Sequence, residues 1–181
     1  MLIGFCGSPR SGKTTLALKL AGCLKERGHA VDFLPEKARD FIRTNKCVGK
    51  DYLEHYDQKA IYDSQREVEG FLEMLNGPCY NITDGSSVNS LFYLSKYNGG
   101  TVSGGDIEKE ADRYDLLIVC DLIRDDGEVV ADNNRIHDLE FSVEMHESLV
   151  EKAKVSPKSL FVTGGVRERL NTVMGDSRLG L

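Results

Sequence analysis

Short apolar runs alternate along the chain with longer stretches in which apolar residues return every three or four positions. The runs Leu2–Cys6, Ala30–Leu34, Cys79–Thr83, Asp115–Cys120 and Ser159–Thr163 have strand length, and turn-forming or polar residues bound them. Helices are predicted between them. The first runs from about Gly12 to Arg27, with Gly28 as its stop, and the second starts at about Glu36. A long amphipathic stretch, Tyr52 to Leu75, carries Tyr56, Ala60, Ile61, Val68, Phe71, Leu72 and Leu75, and further helices cover Val88–Tyr97 and Arg135–Lys154. Strands alternating with helices predict an α/β fold, a five-stranded, mainly parallel sheet flanked by helices on both faces in three layers. The run Leu116–Cys120 is apolar throughout, which places its strand inside the sheet. Asn98–Gly105, rich in glycine, reads as the most flexible segment, and residues 175–181 read as a loose tail.

Composition narrows the class. A chain of 181 residues suits one domain spanning residues 1–181, long enough to bury a continuous core. Hydrophobic residues at 40% and charged residues at 29% describe an ordinary globular protein, and no apolar run approaches the roughly 20 residues that cross a bilayer. The chain opens on a core strand rather than a charged leader, so a cytoplasmic protein with no membrane partner is expected; monomer and oligomer both stay open. Cys6, Cys23, Cys47, Cys79 and Cys120 lack C-x-x-C pairing and read as reduced core thiols rather than zinc ligands. The net charge of -6 repels nucleic acid at long range, although Lys37, Arg39, Arg43, Lys46, Lys50 and Lys59 concentrate after the second strand.

Chemistry begins where the first strand ends, in Gly7-Ser8-Pro9-Arg10-Ser11-Gly12-Lys13-Thr14-Thr15, which reads G-x-x-x-x-G-K-T. Glycines at both ends let the backbone wrap a nucleotide's phosphates and aim successive N–H groups at their oxygens. Lys13 then reaches the terminal phosphates, and Thr14 opens the next helix with its hydroxyl available to Mg2+. Arg10 is a cation inside the loop, able to reach either the phosphates or an acceptor.

In an open parallel sheet, ligands sit beyond the carboxyl ends of the strands. Glu36 is the candidate base for an acceptor hydroxyl, on a strand expected to adjoin the phosphate loop, with Arg39 and Asp40 on the same helix face; the alternative is a charge favouring the helix N-terminus. Asp84 and Asp121 each end a strand, and either could hold Mg2+ through water. Asp121 follows the more apolar strand, whereas Asp84 precedes Gly85-Ser86-Ser87, which can also begin a helix. The polar segment 121–135 reads either as a lid bringing Arg124 or Arg135 onto a transferring phosphoryl group, or as a solvated loop pairing them with Asp125, Asp126 and Asp132. Gly164, Gly165 and Arg167 lie where a nucleotide base packs after a last strand.

In this order the motifs resemble the small P-loop kinases and ATPases typified by the NadR-type ribosylnicotinamide kinase domain, and more broadly the nucleoside and nucleotide kinases. The likeness runs from Gly4 to about Arg169 and rests on the G-x-x-x-x-G-K-T loop, Glu36-Lys37-Ala38-Arg39-Asp40, Thr83-Asp84, the charged segment before Arg135 and Thr163-Gly164-Gly165-Val166-Arg167-Glu168-Arg169. The resemblance implies a three-layer P-loop NTPase fold. It also implies an ATP- and Mg2+-dependent kinase acting on a hydroxyl of a nucleoside-like small molecule, with Glu36 or Asp84 handling the acceptor. The family's lid carries a tryptophan near its start and this chain has none, which brings in related phage enzymes that phosphorylate hydroxymethylated pyrimidine bases in DNA. A regulatory ATPase switch is the third reading, for which a water-positioning glutamine or an effector domain would be expected.

Overall fold

The computed structural model describes residues 1–49, 55–74, 77–97, 103–123, 139–154 and 156–181. The apolar runs become β1 (Leu2–Cys6), β2 (Ala30–Leu34), β3 (Cys79–Thr83), β4 (Leu116–Cys120) and β5 (Ser159–Val162), each within one residue of its predicted limits. Helices α1 (Lys13–Glu26), α2 (Lys37–Cys47), α3 (His55–Met74), α4 (Ser87–Tyr97), α5 (Gly104–Ala111), α6 (Leu139–Ala153) and α7 (Val166–Met174) connect and follow them. The sheet is parallel at every pairing and its order is β2-β3-β1-β4-β5.

Strand alternation divides the core. Leu116, Ile118 and Cys120 of β4 face one way, toward Leu16, Leu20 and Leu24 of α1 and Val173 of α7. Leu117 and Val119 face the other, toward Val88 and Phe92 of α4, Ile107 and Ala111 of α5, and Met145 and Leu149 of α6. The sheet is thus sealed on both faces and its chemistry is confined to its edges. Gly4 has a packing reason: a Cβ there would lie 2.5 Å from the ring of Tyr114, which passes beneath β1.

Several expectations are corrected. The strand adjoining β1 on the acceptor side is β3, not β2, so Glu36 starts two strands from the phosphate loop, roughly 10 Å away. Gly104 and Gly105 are not part of a flexible segment; they open α5, because the Ser103 side chain accepts from Asp106 N while Asp106 accepts from Ser103 N. Residues 177–179 form a 3-10 turn rather than a loose tail. Leu179 is buried in the core, its carbonyl accepts from the Tyr80 hydroxyl at 2.7 Å, and Arg178 donates to the Pro157 and Lys158 carbonyls.

Among the cysteines only Cys6 and Cys120 are core residues; Cys47 is exposed and Cys23 and Cys79 are half-buried. Helix α3 departs furthest from its apolar reading. Phe71 is 54% exposed, while the buried positions include Asp57, Gln58, Gln65 and Glu69 beside Ile61. The remainder of the 98–105 segment, and the 124–138 stretch with Arg124 and Arg135, lie outside the described residues.

Candidate active site

The phosphate loop is shaped by contacts that its glycines make feasible. Gly7 adopts φ 152°, and a Cβ there would meet Ser11 Oγ at 2.7 Å and the Cys120 carbonyl at 2.9 Å. Gly12 closes the loop in the left-handed region, φ 75°, and caps the N-terminus of α1. Gly7 N donates to Asn89 Oδ1 of α4 at 3.0 Å, and Ser11 Oγ donates to the Ser8 carbonyl at 2.8 Å. Lys13 is buried and folded back on the loop, its Nζ donating to the Gly7 and Ser8 carbonyls at 2.8 and 3.0 Å. Pro9 and Arg10 are half-buried at the loop's crown, and Thr15 faces solvent from α1.

Thr14 brings the two sides of the site together. Its Oγ1 donates to Asp84 Oδ1 at 3.1 Å and accepts from the Arg39 guanidinium at 2.8 Å. Arg39 also faces Glu36, Nε to Oε2 at 3.3 Å. Register explains how Glu36 reaches this group from the outer strand. Leu34 pairs with Thr83 and the Leu34 carbonyl accepts from Asp84 N, so Glu36 emerges beside Gly85. A Cβ on Gly85 would stand 3.0 Å from Glu36 Cγ, and Gly85 has φ 86°, so both space and backbone favour glycine here. The Glu36 carboxyl keeps 22% of its side chain exposed and is nevertheless raised above its ordinary range. Desolvation is the main cause and the Asp84 charge adds to it, while Lys13 and Arg39 pull the other way.

The two strand-end aspartates have different surroundings. Asp84 is buried against Thr14, whereas Asp121 Oδ1 accepts from Leu122 N and lies 2.8 Å from His146 Nε2 on α6. The thiols of Cys6 and Cys120 beside the loop are pushed up by burial to about 12 and about 11, which makes both inert. Arg167 is exposed in the first turn of α7.

Two features of the site escaped the sequence reading. Arg169, one turn into α7, is buried and donates to the Gly164, Ser11 and Asp121 carbonyls at 2.6, 2.6 and 3.0 Å. It ties the phosphate loop to the ends of β4 and β5. Glu69 of α3 is fully buried beside the start of α4. Its carboxylate accepts from the Tyr114 hydroxyl at 2.6 Å, from Gln65 Nε2 at 2.8 Å and from Ser87 N, at the start of α4, at 3.2 Å. Burial lifts the Glu69 carboxyl and those same hydrogen bonds oppose the lift. Gln65 in turn accepts from Lys37 N, one residue after Glu36, and Arg113 reaches Glu69, Glu73 and Glu110. Three cations of the basic strip have acidic partners within the chain: Arg39 pairs with Glu36, Arg43 with Asp40 and Lys59 with Asp63.

The profile of a family described as an AAA domain matches residues 2–169. Among solved structures, that of NadR protein in complex with NR has the same fold, with a TM-score of 0.65 at 18% identity over 99% of this chain and 52% of the other. The present chain therefore spans about half the length of that protein. No curated protein matches it in sequence. No described helix is long and apolar enough to cross a membrane.

Proposed function

The chain belongs to the AAA domain family, and from that premise we propose that it is an ATP- and Mg2+-dependent kinase that phosphorylates a hydroxyl of a nucleoside-like small molecule. The observation carrying this reading is the pair of carboxylates held at different stations. Asp84 lies on the Thr14 hydroxyl, at the mouth of the phosphate loop, and Glu36 lies beyond it on the same edge, joined to Thr14 through Arg39. A hydrolytic switch has use for the first station; the second is what an acceptor requires.

The Thr14 and Asp84 oxygens suit a hard cation that keeps several waters and takes phosphate oxygens as its remaining ligands, as Mg2+ does. Mg2+ and ATP would supply the transferable phosphoryl group and neutralise its charge. Lys13 exchanges its two carbonyl partners for phosphate oxygens, and the loop N–H groups orient the chain of phosphates. Glu36, with a carboxyl already lifted by desolvation, takes the proton of the acceptor hydroxyl at its free oxygen while Arg39 fixes its orientation. Tyr93 of α4 borders this region: its hydroxyl is pushed well up, by burial first and by the Glu36 charge second. The likeness to NadR, a protein observed with NR, supports an acceptor of nucleoside size. A base in DNA is the less favoured acceptor, since Arg39 and Arg43, two of the cations of α2, already have acidic partners.

Glu36→Gln tests the assignment. With labelled ATP and a panel of nucleosides, the variant should bind ATP as the wild type does while transfer falls by about 10²–10⁴. Turnover to inorganic phosphate alone, with no labelled acceptor from either nucleosides or base-modified DNA, would refute the kinase reading.

A further inference from the structure

Asp57, Ile61, Gln65 and Glu69 of α3 are all buried and lie one turn apart, on a single stripe. Their partners run along α2 and on to α4. Asp57 Oδ2 accepts from Asn45 Nδ2 at 3.2 Å, Ile61 packs with Ile42, Gln65 accepts from Lys37 N at 3.3 Å, and Glu69 accepts from Ser87 N.

Helix α2 depends on this support. Ile42 is its one buried residue, more than a turn beyond Glu36, and the Glu36 side chain makes no cap bond to its own helix. Two of the first three N–H groups of α2 are satisfied in other ways: Arg39 N donates to the Glu36 carbonyl at 3.2 Å, and Lys37 N donates to Gln65. Gln65 is 1% exposed and uses both ends of its amide. Lys37 N can only donate, so the amide oxygen faces it and the NH2 group faces Glu69 Oε1, at 2.8 Å. Glu69 is held in turn by the Tyr114 hydroxyl and Ser87 N. A short chain of bonds therefore runs from a carboxylate locked in the core to the peptide group that joins Glu36 to Lys37.

We propose that Gln65 is a positioning residue for the transfer: by tying Lys37 N to Glu69, it sets where the Glu36 carboxyl stands. Arg39 orients that carboxyl, and Gln65 places the backbone that carries it. A hydrogen bond suits this task better than apolar packing because it has a direction, and misplacing a reacting group by about 1 Å can cost about a hundredfold in rate. An apolar side chain of similar size would fill the space but leave Lys37 N without its acceptor. The inference rests on Glu36 as the base proposed above.

The bond can be cut from either end. Gln65→Met keeps the length of the side chain and removes the acceptor. Lys37→Pro removes the donor and keeps the helix start, because proline suits the first helical position and Glu36, at φ -59° and ψ 120°, already has the backbone that precedes proline. With labelled ATP and a nucleoside of the panel that accepts label, each variant should lower kcat by roughly tenfold or more. Calorimetric affinity for ADP with Mg2+ should stay as in the wild type. The double variant should be no slower than the worse single one, since both substitutions remove the same bond. Lys37→Pro should melt near the wild type, the restricted unfolded chain offsetting the lost bond, and Lys37→Ala, which keeps the N–H, should transfer as the wild type does. A Lys37→Pro chain with wild-type kcat would overturn the proposal and leave Gln65 as a support of Glu69 alone. Losses that multiply in the double variant, or an equal loss in Lys37→Ala, would overturn it too. Glu36→Gln separates the failures: if it transfers as the wild type does, the base assignment has failed, and if it is impaired while Lys37→Pro is not, only the role of Gln65 has.

Discussion

The phosphate loop and the acceptor edge lie within a few ångströms of one another and are built on opposite principles. The loop is local: its shape comes from glycines within six residues, from Ser11 bonded to Ser8, and from Lys13 folded on the carbonyls of Gly7 and Ser8. The acceptor edge is assembled from afar. Glu36 is held by a helix whose first N–H is taken by Gln65, and the loop after Asp84 leads into a helix whose first N–H is taken by Glu69. Tyr114, from between α5 and β4, completes that support. On the proposed kinase reading, such a site would keep its nucleotide half constant and re-aim its acceptor half through changes on α3.

The comparison makes Arg169 the most damaging residue to remove, because its guanidinium ties the local half to the ends of two strands at once. Arg169→Leu leaves the buried Ser11 carbonyl and the partly buried Gly164 and Asp121 carbonyls without this donor, and the expected loss is roughly 3 kcal/mol in urea unfolding. ATP affinity should fall with it. Unchanged affinity in a destabilised chain would show that the loop holds its shape unaided.

Tyr114→Phe is expected to be milder, about 1–2 kcal/mol, since Glu69 keeps Gln65 and Ser87 N as donors. Its kinetic signature should be one-sided, with a raised acceptor KM or a lowered kcat and an unaltered ATP KM. Equal changes in both KM values would dissolve the division between the halves.

The smallest effect is a pH dependence. In the ligand-free fold the Glu36 carboxyl binds its proton more tightly than the ordinary value of 4.5, so the folded chain loses stability relative to the unfolded one as pH rises from 4.5 through the lifted value. Glu36→Gln removes this term. The variant should match or exceed the wild-type melting temperature above that window, and the difference should close as pH falls below the ordinary carboxylate value. A variant less stable than wild type at neutral pH would mean that the Arg39 pairing outweighs desolvation.

The same contrast explains what the amino-acid sequence disclosed. Strand limits and the loop follow from short-range patterns, apolar runs and fixed glycine spacing, and these read correctly. Sheet order did not, because nothing in Ala30–Leu34 or Cys79–Thr83 says which lies next to β1. Glu69 and Gln65 fall on a helical stripe with Ile61, but they are polar, and a search for apolar periodicity passes over a buried face carrying carboxylate and amide groups. Arg169 looked like one arginine among several in Arg167-Glu168-Arg169; only the one-turn offset from Gly165 turns it inward, where it finds Ser11. The start of α5 was legible in principle, since Ser103 and Asp106 have the spacing of a reciprocal cap, but Gly104 and Gly105 between them masked it.

The bond from Arg169 to Ser11 spans 158 residues, and it has a consequence for biogenesis. On a ribosome the phosphate loop emerges before β3, β4 and α7, yet β1 must wait for β3 and β4 to flank it and for α7 to lock it. A segment made early in this fold is therefore finished late, so acquisition of nucleotide binding by a nascent chain would report that α7 has docked.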